Sequence, residues 1–148
     1  MKNIYLSILI IPILLCCGCT QNNGHLGALF GSWTLTEIDK DGEIVEKDKD
    51  DTVFSFQSSI VEVAWLTEPP YTTEYRYGNF THEGDKLTMQ FQSDDSGHSN
   101  MYKAPYWIFF PQDGKPIIFD VMTLKSDRMT LKLNIDGSDY IYKFRKTM

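Results

Sequence analysis

Cysteine stops early in this chain. Of 148 residues only Cys16, Cys17 and Cys19 carry thiols, all within one four-residue stretch. A disulfide framework and a cysteine metal site are therefore excluded for everything that follows them. Basic charge is short as well: Lys and Arg total 14 against 20 Asp and Glu, a net charge of −6. Nucleic-acid binding needs a basic face that releases counterions, so no nucleic-acid partner is expected. Histidine is scarce. His25, His82 and His98 lie far apart, with no H-x-x-x-H or H-E-x-x-H spacing, so no zinc site is expected. The chain has no G-x-S-x-G elbow and no Gly-rich loop ahead of a helix. With no nucleophile–base pair visible, neither an enzyme nor a cofactor is expected.

Long apolar runs are missing, with one exception. After Met1-Lys2-Asn3, residues Ile4 to Leu15 are an apolar run broken only by Ser7 and Pro12. A membrane-spanning helix needs roughly 20 residues, so this shorter run reads as the core of a secretory signal. The Gly18-Cys19 pair that follows resembles a bacterial lipobox. That resemblance implies diacylglyceryl transfer to the thiol of Cys19, cleavage between Gly18 and Cys19, and N-acylation. Cys17 is a rival acceptor, because Leu14 then takes the lipobox Leu position that Cys16 otherwise occupies. On this reading residues 1–18 are a lipoprotein signal peptide and residues 19–28 are the lipidated Cys with a polar tether. Residues 29–148 are then the folded domain. The membrane is a partner through the lipid anchor. The tether, Thr20-Gln21-Asn22-Asn23-Gly24, lacks the acidic run that resembles the surface-export signal of Bacteroidetes lipoproteins. The expected place is therefore the cell envelope, on the periplasmic face of the outer membrane.

A length of 148 residues with 42% hydrophobic and 14% aromatic side chains supports one packed domain. After residue 30 no window keeps an apolar 3.6-residue period over ten positions. Period-two patterns recur instead, separated by Gly, Asp, Asn, Pro and Ser clusters. Gly31–Asp39 places Trp33, Leu35 and Glu37 on one face, and Asp41-Gly42 signals a hairpin. Thr52–Gln57, Ile60–Trp65, Thr72–Phe80 and Lys86–Gln92 read as strands. So do Tyr106–Phe110, Ile117–Leu124, Met129–Ile135 and Tyr140–Arg145. Short helical pieces are expected at His25–Phe30 and near Asn100–Lys103. The spacing is that of an all-β sandwich or antiparallel barrel of about eight to ten strands.

Leu29-Phe30-Gly31-Ser32-Trp33-Thr34-Leu35 is a short turn followed by Gly-x-Trp at the first strand. With Asn79-Phe80-Thr81-His82-Glu83-Gly84-Asp85 ahead of an alternating strand, it resembles the lipocalin-like lipoproteins of Bacteroidetes. The resemblance covers about residues 29–146. It implies an antiparallel, approximately eight-stranded lipocalin-like β-barrel behind the lipoprotein signal peptide, with Trp33 closing one barrel end. Arg145, on the last strand, is the cation expected over Trp33.

Glu37, Asp39, Asp41 and Asp48, with Gly42 between, have the spacing of an EF-hand calcium loop. The entering segment is a strand rather than a helix, so the hairpin reading is preferred and no metal is expected. The aromatics carry the remaining signal. Trp33, Trp65, Tyr75, Tyr77, Phe91, Phe119 and Tyr142 fall on alternating strand positions. They either pack a core or line a cavity, because eight-stranded barrels are just wide enough for one small ligand. The leading expectation is a lipid-anchored barrel that binds or carries a small hydrophobic molecule. The alternative is a structural or interaction module with a filled barrel. A continuous apolar cavity separates the two.

Overall fold

In this computed structural model, residues 27–47, 51–69, 71–97 and 99–147 are described. They form nine strands: β1 (Gly31–Lys40), β2 (Glu43–Lys47), β3 (Thr52–Gln57), β4 (Ile60–Leu66), β5 (Thr73–Glu83), β6 (Lys86–Gln90), β7 (Ile117–Leu124), β8 (Arg128–Ile135) and β9 (Ser138–Lys146). All pairings between strands are antiparallel, and β1 pairs with β9 to close the sheet. The closed ring contains β1 and β3 to β9, eight strands in all. β2 is an appendage on the distal half of β1, joined through the Asp41-Gly42 turn.

Alternation fills the ring from within. Leu87 and Met89, Met129 and Leu131, and Val61 and Val63 are buried, while the residues between them face outward. One irregularity in β1 changes a face. A bulge between Leu35 and Glu37 shifts the register against β9. Glu37 therefore turns outward to pair with Lys143 at 2.6 Å, and Ile38 takes the inward place with 0% exposure. The expectation that Glu37 shares a face with Trp33 and Leu35 is corrected accordingly.

Tyr106–Phe110 is not a strand. Residues Tyr106–Ile108 form a 3₁₀ turn, and Phe109 adopts the left-handed conformation at φ 65°. Pro105 and Pro111 bracket the segment, and proline cannot donate to a sheet ladder. The other expected strands are present within a residue or two, and the helical turn near Asn100–Lys103 appears as a 3₁₀ turn at Asn100–Tyr102.

Candidate binding site

Trp33 stands at one end of the barrel, fully buried, and its indole N–H donates to the Leu29 carbonyl at 2.6 Å. The cation over its ring is Lys146, with Nζ 4.2 Å from the centroid. Arg145 is one residue out of phase. Cross-strand pairing sets Lys146 opposite Trp33 and Arg145 opposite Thr34, on the outward face. The Lys146 ammonium also donates to the carbonyls of Ala28 and Phe30. Burial against these groups lowers its pKa from the usual lysine value.

The other end is closed by the chain itself. The connection from β6 to β7 folds inward and places Ile108 and Phe110 at 0% and 4% exposure. Phe110 lies 5.5 to 6.2 Å, centroid to centroid, from Phe54, Phe91, Phe119 and Tyr142. β3 and β7, which carry Phe54 and Phe119, are four places apart in an eight-strand ring, so Phe110 bridges opposite walls. The Tyr142 hydroxyl donates to the Ile108 carbonyl at 2.9 Å. Burial drives its pKa far above the ordinary phenol value. Trp107 packs edge-on against Trp65, which also receives Arg76 at 4.9 Å.

The expected ligand residues thus separate into three groups. Phe91, Phe119 and Tyr142 converge on Phe110 in the middle of the barrel, and Trp33 and Trp65 sit at its two ends. Tyr75 and Tyr77 face outward, against the expectation that these aromatics face a shared interior. Their strand pairs Val61 with Gly78 and Val63 with Arg76, so the phase containing Gly78 and Phe80 is the inward one. Gly78 is required there: a Cβ would lie 2.9 Å from the Phe91 ring and 2.8 Å from the Gln90 carbonyl oxygen. Sequence reasoning missed Ile108 and Phe110 as interior residues. The flanking prolines were the available signal against a strand.

Outside the barrel, β6 ends at Gln90 and pairs with β5 only from Asn79 onward. The Asn100–Tyr102 turn crosses near this break and holds Gln92 through a backbone hydrogen bond of 2.8 Å. Between them runs a groove of about 380 Å³ lined by Ile60, Tyr77, Phe91, Met101 and Tyr102, with Asn79, Gln90 and Gln92 at its polar margin. A second groove of about 480 Å³ shares Ile60 and Tyr77 and continues over Ser32, Ser55, Gln57 and Glu62. The Tyr77 phenol donates to the Glu62 carboxylate, which raises its pKa. Tyr75 and Tyr77 stack with rings 6.5 Å apart and nearly parallel, at 10°.

In the acidic hairpin the described carboxylates are engaged with protein groups. Asp39 accepts from the Gly42 amide and Asp41 from the Asp139 amide, both at 2.8 Å, while Glu37 pairs with Lys143. Asp48 lies outside the described residues, as do Cys17 and Cys19.

A model of the lipocalin-like domain family matches residues 13–147, so the chain belongs to that family. The fold recurs in a lipocalin-like protein from Bacteroides uniformis, 22% identical, covering 82% of this chain and 100% of the other, with a TM-score of 0.60. An uncharacterized protein from Bacteroides eggerthii shares it at 24% identity, covering 80% and 98%, with a TM-score of 0.58. The comparison with curated proteins returned no match.

Proposed function

We propose that this chain is a non-enzymatic binding module of the cell envelope, held by lipid on Cys19 at the periplasmic face of the outer membrane, that binds or carries a small hydrophobic molecule. The observation that supports the reading is the apolar groove at the break between β5 and β6. Its volume of about 380 Å³ falls within the range of roughly 300–1,000 Å³ common for small-molecule sites. In the barrel interior Ile108 and Phe110 are buried, and Phe110 packs against Phe54, Phe91, Phe119 and Tyr142. The ligand therefore sits in the wall rather than the lumen. The test uses the folded domain with an environment-sensitive fluorescent lipid analogue. Saturable binding, reversed by unlabelled apolar competitors and lost in Met101→Asp, supports the reading. Absence of saturable binding across a broad hydrophobic panel overturns it. The second reading, an interaction module with a filled barrel, then stands, and the packing around Phe110 is the observation that favours it.

A further inference from the structure

The two adjoining grooves differ in chemistry, and the difference selects a ligand. The groove at the strand break is bounded by Ile60, Phe91, Met101 and the Tyr102 ring. Its neighbour is bounded by the hydroxyls of Ser32 and Ser55, the Gln57 amide and the Glu62 carboxylate. Tyr77 and Ile60 form the shared wall. Among the described residues, no lysine, arginine or histidine lines either groove, and the one ionic side chain is acidic. The chain as a whole carries −6. A fatty-acid carboxylate in the polar lobe would face Glu62 without a counter-charge, and like charges at a few ångströms repel even near a protein surface.

From this geometry we infer that the site takes an uncharged amphiphile, with its apolar tail in the lobe of Phe91 and Met101 and a hydroxyl-bearing head over Ser55, Gln57 and Glu62. The inference rests on the proposed binding of a hydrophobic molecule and names its class. Hydroxyl groups suit the polar lobe because they donate to a carboxylate and an amide oxygen and accept from serine hydroxyls. The Tyr77 ring gives the junction an apolar face, against which the first carbons of head and tail pack.

The experiment measures calorimetric binding of three ten-carbon probes below their micelle concentrations: decyl maltoside, 1-decanoylglycerol and sodium decanoate. The expected result is that at least one uncharged probe binds about tenfold more tightly than decanoate, the ratio set by one unfavourable charge contact. The tighter of the two assigns the head as a sugar or a glycerol. Glu62→Gln keeps a polar group there without the charge, so the ratio should fall to near unity through stronger decanoate binding. Decanoate binding as tightly as both uncharged probes, or a ratio unmoved in Glu62→Gln, overturns the inference while leaving hydrophobic binding intact. If none of the three binds, the broader reading fails with it. Circular dichroism of each variant separates lost binding from lost fold, and Ser55→Ala provides a second, milder change expected to weaken only the uncharged probes.

Discussion

The Tyr142 hydroxyl on β9 holds the Ile108 carbonyl, 34 residues earlier in sequence, at 2.9 Å in the middle of the barrel. This bond lets a polar backbone group of a non-strand segment enter an apolar interior, where an unpaired carbonyl costs about 1–3 kcal/mol. Tyr142→Phe should therefore lower stability by that amount in denaturant titration. The alkaline behaviour follows from the same burial. The folded pKa of Tyr142 is raised, so its contribution is full below the unfolded phenol pKa of about 10. Above that pH the unfolded chain ionises while the folded one resists, and stability falls by up to about 1.4 kcal/mol per pH unit. A stability-against-pH curve for Tyr142→Phe lacking that component checks the assignment. Identical slopes in both proteins would contradict it.

Phe110 is the centre of the interior. Phe110→Ala should cost about 3–5 kcal/mol, as for other buried aromatic deletions. The space it leaves is walled by Phe54, Phe119 and Tyr142. Such apolar cavities stay dry and admit small aromatics. Benzene should raise the melting temperature of Phe110→Ala and leave the wild type unaffected. A wild-type response of equal size would show that the interior already has room.

Trp33 closes one end of the barrel. Trp33→Ala removes a fully buried indole and its bond to Leu29, at an expected cost of about 3–5 kcal/mol. Lys146→Met removes the cation from the ring face and should cost less, about 0.5–2 kcal/mol. Arg145→Met, on the outward face, should change little. Chemical denaturation of the three variants ranks them, and an Arg145 effect exceeding that of Lys146 would reverse the assignment.

Cys19→Ala should abolish labelling by a clickable palmitate precursor and either accumulate the precursor or release the domain to the soluble fraction. One acyl chain binds membranes only marginally, so stable attachment takes several on the one residue. Labelling that survives Cys19→Ala but disappears in Cys17→Ala moves the cut two residues earlier. Labelling that ignores both changes removes the lipid anchor from the proposal.

Much of the barrel was legible in local patterns. Leu87, Met89 and Phe91 alternate with Lys86, Thr88 and Gln90, and burial follows that alternation. Met129, Leu131 and Leu133 do the same. Asp41-Gly42 and Asp136-Gly137 both take positive φ angles in hairpin turns, as expected of that dipeptide. The candidate site was less legible. Its wall depends on where β6 stops pairing with β5, and on a 3₁₀ turn ten residues further along.

Alternation of side chains establishes that a segment is a strand, because the pleat has a period of two. It does not establish which face is inward when both faces carry large groups. In β5, Tyr75 and Tyr77 alternate with Arg76 and Gly78, and pairing with Val61 and Val63 of β4 turned the tyrosines out. Nor could local pattern place Tyr106–Phe110. In this ring the wall residues leave room for Ile108 and Phe110, and native interiors tolerate few voids. The segment that fills it is chosen by what can reach the opening and find a partner for its backbone. Here those conditions are met by the connection beyond β6 and by the Tyr142 hydroxyl, which come together only in the folded chain.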